Sequence, residues 1–199
     1  MATHKAIEKN PVDGFDLIAS FPSSGGYDVK GMQSYFFGLE IYDEPFFLAY
    51  AALAYQNYYH WVPPLSDFFQ NKYAQVIPGL FDGTQSEEQI NAALNDTIPK
   101  LINADLLAGI NADSKYDYIV TAFNQNSLLD WTPAKRMSMF HGDADVTVPY
   151  QNSVDTYNQL ISNGASPSTL TLTPLQGKTH FTGVVPYIEA FVPELISLK

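Results

Sequence analysis

The stretch FHGDADVTVPY, Phe140–Tyr150, sets two aspartates in a turn that a glycine opens. Ahead of it, RMSMF (136–140) is a short apolar run with the texture of a buried strand, closed by His141-Gly142. Behind it, PYQNSVDTYNQLISNG (149–164) reads as an amphipathic helix. Val154, Tyr157, Leu160 and Ile161 share one face, and Asn163-Gly164 ends it. STLTLTPL (168–175) then alternates apolar and polar, as a strand with one buried and one wetter face. It runs into GKTHFTG (177–183), with His180 at its centre. VVPYIEAFVPELISL (184–198) closes the chain as a helix; Pro186 suits its first turn, and Pro193 is expected to kink or restart it. Strands alternating with helices imply a parallel sheet. In such sheets the binding and reacting groups gather at the C-terminal ends of the strands.

An aspartate after one strand and a histidine after the next can therefore meet at one end of the sheet. An imidazole acts as a general base only in the correct tautomer and orientation. A buried carboxylate on its other nitrogen supplies both, and stabilises the imidazolium as it forms. Asp145 is favoured over Asp143 as that carboxylate, because Val146, Val148 and Pro149 are expected to anchor the turn around it. A single loop histidine is more often a cap or a surface residue, but the nearby Asp145 loop reverses that preference for His180. His60 reads as part of an aromatic cluster and His4 as a helix-surface residue.

Upstream, ATHKAIEKN (2–10) reads as a helix end closed by Asn10 and Pro11. GFDLIASF (14–21) reads as a buried strand, and PSSGGYD (22–28) as the loop at its C-terminal end. From Lys30 to Pro133 the texture turns helical. The helix expected over 44–62 has Phe47, Ala51, Ala54, Tyr55 and Tyr58 near one face and stops at Pro63-Pro64. SEEQINAALNDTIPKLI (86–102) begins at Ser86 as N-cap, and SKYDYIVTAFNQN (114–126) is a further helix. The expected organisation is one structural domain in three parts. Residues 1–29 give a core helix end and strand, 30–133 a helical cap or lid insertion, and 134–199 the C-terminal core with the Asp and His loops. That insertion is long for a connection in a compact domain.

The 199 residues suffice for one domain with a sizeable core, and an apolar content of 46% marks a globular chain. A net charge of −11 disfavours nucleic acid and anionic membrane surfaces as partners. With no cysteine, disulfides, thiolate metal sites and a cysteine nucleophile are excluded. No His and carboxylate pair has metal-ligand spacing on one helix and no phosphate-binding glycine loop follows a strand, so neither metal nor cofactor is expected. The N-terminal residues carry no apolar signal core, so no signal peptide is expected in this chain.

HGDADVTVP (141–149) resembles the acid loop of α/β-hydrolases, GKTHF (177–181) is similar to their histidine loop, and DWTPAKRMSMF (130–140) is similar to the approach to their penultimate core strand. GFDLIASFP (14–22) is similar to the strand before the cap in that family. The resemblance implies the last three strands of a partial α/β-hydrolase parallel sheet with a large helical cap. It implies Asp145 as triad acid, His180 as triad base, and a lipase- or esterase-like serine hydrolase acting on carboxylic esters, small-molecule or lipid. A peptidase with the same triad remains open.

The family's nucleophile stands in a G-x-S-x-G elbow ahead of both residues. No such pattern occurs in this sequence, so the nucleophile is expected outside this chain, along with the earlier core strands and any secretion signal of the parent. Ser23 and Ser24, with Gly25-Gly26 beside them for an oxyanion, are the weaker alternatives within it, and Asp28 is a weaker alternative acid. Tyr35, Phe36, Phe37, Phe46, Phe47, Tyr58 and Trp61 are candidates for lining an acyl pocket, or they form a small helical core. The rival readings are a non-catalytic truncated chain, an apolar-ligand-binding module, and one half of a split hydrolase. The 14–21 strand would have one edge without a partner, which invites self-association or an N-terminal partner chain.

Overall fold

The computed structural model describes residues 1–198. The chain begins with α1 (Ala2–Lys9) and β1 (Ala19–Ser20). There follow α2 (Val29–Phe37), α3 (Pro45–Tyr59), α4 (Asn71–Leu80), α5 (Glu87–Ala93), α6 (Ile98–Leu101), α7 (Ala104–Gly109) and α8 (Asp117–Asn126). It ends with β2 (Arg136–Gly142), α9 (Tyr150–Ser162), β3 (Leu170–Leu175) and α10 (Val184–Ile196). It divides into two units, Met1–Met32 with Asn124–Lys199, and Gln33–Phe123.

The first unit is built on a parallel sheet in the order β1-β2-β3. β2 is the middle strand, and every residue from Met137 to Gly142 is buried. That is why RMSMF reads as a continuous apolar run, since a parallel strand is covered on both faces. Met137, Met139, Leu160, Leu170, Ala165 and Tyr27 form its core. Full burial of each of the larger aliphatic side chains stabilises the fold by about 1.5–3 kcal/mol. The β2–β3 register runs from Met137 opposite Leu170 to Gly142 opposite Leu175. It brings both strands to their C-terminal ends together.

The strand expected over 14–21 is shorter than its sequence suggests. Only Ala19 and Ser20 form a ladder with β2, opposite Arg136 and Met137. Among the described residues, 15–18 join no ladder, and the N–H groups just before Arg136 are already engaged. Ala134 and Lys135 donate their N–H groups to the Glu8 carboxylate, at 3.0 and 2.6 Å to Oε1. Phe15 and Ile18, expected in the interior, are each 55% exposed. Beyond β1 the pairing resumes, with Phe140 N–H donating to Pro22 O and Ser24 N–H to Phe140 O, both at 3.0 Å.

His4 is not a surface residue. It is buried, with Nδ1 2.6 Å from Ser20 Oγ and Nε2 3.0 Å from Glu8 Oε1. Helix and strand are thus pinned through a side chain that an amphipathic count assigns to solvent. α10 continues through Pro193 as one helix and buries none of its residues. It is tied to the sheet by polar contacts. Arg136 Nη2 and Ser138 Oγ donate to Glu194 at 2.6 and 2.8 Å, and Tyr187 Oη donates to Phe21 O at 2.6 Å.

The second unit is helical, as expected. Its core holds Phe69, Ile77, Ile98, Leu101, Leu106, Tyr116 and Ile119. Two antiparallel bridges, Ile41 with Thr97 and Phe69 with Ile102, knit its loops. Ser86 caps α5 in a reciprocal capping box with Gln89. The single helix expected over 86–102 breaks instead at Asn95-Asp96, where Asn95 Oδ1 accepts Thr97 N–H at 3.0 Å and α6 restarts. α3 ends before the two prolines, with His60 in the left-handed conformation at φ 52°. His60 is exposed and acts as that helix's C-cap. Its expected apolar face is rotated, because Ala49 is buried while Ala51 and Ala54 are exposed.

Candidate active site

Gly142 ends β2 where a side chain has no room. A β-carbon there would collide with the Lys178 carbonyl of the loop after β3. The close approach is used, because Ala144 N–H donates to Lys178 O at 3.0 Å and Asp143 N–H to Leu175 O at 3.2 Å. The Asp143 carboxylate closes the seam by accepting Gly177 N–H at 2.6 Å. Asp143 therefore joins the two loops, while Asp145 turns inward and is 4% exposed. Pro149 is buried beside it, but Val146 is 64% exposed and does not anchor the turn as its sequence suggests.

The Asp145 carboxylate has donors on both oxygens. His180 Nδ1 lies 2.8 Å from Oδ2, His141 Nε2 lies 3.1 Å from the same oxygen, and Val148 N–H donates to Oδ1 at 3.0 Å. Burial alone would push this carboxyl up. The hydrogen bonds from His141, His180 and Val148 outweigh burial and hold it down at about 2. Asp145 is thus an anion with its geometry fixed. His180 has a side chain 25% exposed, so it bridges the buried acid and the surface. Its loop is held by Thr179 N–H on Thr182 Oγ1 at 2.8 Å and Gly183 N–H on Thr179 O at 3.0 Å. An imidazole that gives Nδ1–H to a carboxylate keeps Nε2 as the basic nitrogen. The pair can take a proton from a hydroxyl and return it to a leaving group.

His141 went unnoticed in the sequence, where it reads as the first half of a His-Gly turn. It is fully buried, and its Nδ1 lies 2.6 Å from Ser153 Oγ. Asn152 was also missed. Its buried amide accepts Tyr27 N–H and Asp28 N–H at 2.9 and 3.1 Å and donates to Asp28 O at 2.7 Å. It holds the 22–28 loop against the start of α9. The only sequence signal was a polar residue on a helix face that otherwise faces the core.

Asp28 caps α2, with Oδ1 accepting Gly31 N–H at 2.9 Å and the Ser127 hydroxyl at 3.2 Å. Ser23 bridges to Phe140 at the end of β1, and its Oγ lies 3.4 Å from Ser24 Oγ. Ser24 has φ 46°, a left-handed conformation uncommon for a residue with a side chain. Both serines therefore stand at a strand's C-terminal end in the unit that holds Asp145 and His180.

The seven aromatic candidates lie in the second unit. They pack largely on other rings: Phe36 on Tyr42 at 4.6 Å, Phe46 on Phe81 at 5.4 Å, and Trp61 stacked on Phe68 at 5.7 Å. Tyr35 meets Phe36 edge-on, Phe47 meets Phe46 likewise, and Phe37 is half-buried, while Tyr58 is 78% exposed. An open cleft of about 340 Å³ in this unit is lined by Asp43, Pro45, Asn91, Ala92, Leu94, Asn95 and Asp96, and by none of the seven. Among the described residues no group of three or more His, Asp or Glu could hold a metal ion, and no helix is long and apolar enough to cross a membrane.

No family model and no curated protein matches the sequence. Solved structures do. A ligand-bound rice cell wall degrading esterase, LipA from Xanthomonas oryzae, superimposes with a TM-score of 0.79 at 21% identity, over 96% of this chain and 53% of that one. Candida antarctica lipase A in its closed state gives a TM-score of 0.63 at 14% identity, over 97% of this chain and 45% of that one. The chain spans about half the length of the solved structures it matches. The fold is that of the C-terminal part of an α/β-hydrolase, a three-stranded parallel sheet with helical insertions.

Proposed function

We propose that this chain, with the fold of a C-terminal α/β-hydrolase portion, supplies the acid and the base of a serine hydrolase acting on carboxylic esters. The observation that carries this reading is the 2.8 Å contact between Asp145 Oδ2 and His180 Nδ1, at the ends of adjacent parallel strands. Proteins named as an esterase and a lipase share the fold, which supports ester chemistry. In this scheme His180 Nε2 takes the proton of a serine hydroxyl as it attacks the acyl carbon. His180 then gives the proton to the departing alkoxide. Water repeats the cycle on the acyl-enzyme, and Asp145 holds the tautomer throughout. The helices of Gln33–Phe123 serve as a lid.

In this scheme the nucleophile stands in a strand-to-helix elbow that these 199 residues do not contain, in the part of the hydrolase fold that adds strands to β1, or, in a split hydrolase, on a separate polypeptide. β1 is bonded on one side by β2 and ends the sheet. Near it Val12, Phe15 and Ile18 are each 55% exposed. An apolar edge of this kind recruits a pairing strand, from that polypeptide or from a second copy.

A second reading rests on Ser24 and its φ of 46°. Strained backbone at a strand end is one way to expose a nucleophile. A fluorophosphonate probe with a short p-nitrophenyl ester separates the two. The isolated chain, shown to be folded, is expected to stay unlabelled and inactive. Fused behind the N-terminal half of a matching esterase, it is expected to be labelled and to turn over, and His180→Ala to abolish turnover. Labelling of the isolated chain that Ser24→Ala and His180→Ala both remove would establish the second reading. A folded fusion without turnover would overturn the first.

A further inference from the structure

We infer that His141 is a positioning residue for the Asp145–His180 pair, holding the acid by a second hydrogen bond on the oxygen that His180 uses. The inference rests on the reading of that pair as acid and base.

The tautomer of His141 follows from its neighbours. Nε2 faces Asp145 Oδ2 at 3.1 Å and Val148 O at 2.9 Å, and both are acceptors. Nε2 therefore carries the proton. Nδ1 accepts the Ser153 hydroxyl at 2.6 Å. Ser153 is itself fully buried, so the donor is held in place from α9. The Tyr150 ring stands edge-on to the imidazole, 5.7 Å between centroids. The side chain is locked from three directions, by the strand that bears it, by α9, and by the turn that returns through Val148.

The consequence for Asp145 is specific. His180 and Val148 alone would give each oxygen one donor. His141 adds a second donor on Oδ2, which stops the carboxylate from swinging about its Cβ–Cγ bond. It also draws off part of the negative charge that His180 meets. Asp143, the other nearby carboxylate, is engaged with Gly177 N–H. A hydrogen-bonded anion attracts a proton on its neighbour less than a bare one. His141 thus tempers the pull of Asp145, so that His180 can release its proton to a leaving group as well as accept one.

The test follows the His180 ring by ¹⁵N and ¹H NMR in the full chain. His141→Phe removes the donor, and His141→Gln carries an amide N–H to the position of Nε2. The His180 titration midpoint is expected to rise in H141F and to return toward the parent value in H141Q. Should H141F fail to fold, His141→Asn takes its place, since it keeps reach to Ser153 and loses reach to Asp145. A filler role would move the Gln and Asn variants together, and that result overturns the inference. So does an unchanged midpoint in a folded H141F when Asp145→Asn lowers it. If Asp145→Asn leaves the midpoint where it was, the acid–base reading fails first and this inference fails with it.

Discussion

The Lys178 carbonyl occupies the space that a β-carbon on Gly142 would need. The conformational freedom of glycine is secondary here, because what matters is the missing atom. Two loops from neighbouring strands can touch backbone to backbone only at such a position. Gly142→Ala is expected to force them apart, to cost about 1–3 kcal/mol, and to break the Asp145–His180 hydrogen bond. Urea denaturation reads the first effect and the His180 Nδ1–H resonance the second. An alanine variant of unchanged stability would show that the seam gives way without strain.

Asp145 makes part of the stability depend on pH. Its carboxyl is held at about 2 in the fold, against 3.8 as the ordinary value. A depressed carboxyl stabilises the fold above its unfolded value, and that contribution disappears as pH falls from 3.8 through about 2. Acid unfolding followed by circular dichroism is therefore expected to be less steep in this window for Asp145→Asn. At pH 7 the same variant is expected to be less stable by about 1–3 kcal/mol, since it turns an amide toward donors that need an acceptor. Equal acid slopes in the two proteins would contradict this.

Asn152 makes three hydrogen bonds to the backbone of Tyr27 and Asp28. Asn152→Ala leaves these groups unpaired, Tyr27 N–H in a buried setting and the two Asp28 groups in a partly buried one. It is expected to cost about 2 kcal/mol or somewhat more, and limited proteolysis should cut first within residues 22–28. Asn152→Asp retains an acceptor for the two N–H groups and is expected to lose less. If alanine and aspartate variants resist protease equally, the clamp has another source.

The β1 edge is expected to set the association state. The chain alone is expected to run larger than its monomer mass in light scattering. Ile18→Lys should bring it toward the monomer, because a charge on an edge blocks pairing. A monomer with a cooperative melt before any substitution would refute the expectation.

What the sequence revealed depended on whether a signal was local. The β2 run, the turn after it and the β3 alternation each lie in a few consecutive residues, and each appears where its pattern puts it. α9 also forms where expected, but its buried face is Asn152, Ser153, Thr156 and Leu160, so that of the expected stripe only Leu160 is fully covered. The pairing of Asp145 with His180 was legible because the parallel order brings successive strand ends together. His4 and the 14–18 run misled because their partners are distant in sequence. His4 is covered by Ser20 and the Trp131 ring, and Glu8 draws the N–H groups of Ala134 and Lys135 out of any ladder. No window of sequence contains those contacts. His141 was missed because its partners, Asp145 and Ser153, matter only once β2 and α9 are packed. The break at Asn95 was hidden by good helix formers on both sides, with one side-chain turn deciding the matter.

The β2–β3 ladder joins residues only 33 positions apart, from Met137 with Leu170 to Gly142 with Leu175. Contacts that close short loops form early, whereas distant ones wait for the chain to search. β1 must find β2 across the whole stretch between Ser20 and Arg136. The order of assembly is therefore built into the connectivity. The turn that holds Asp145 and the loop that holds His180 are expected to come together first, with β1 joining a centre that is already set.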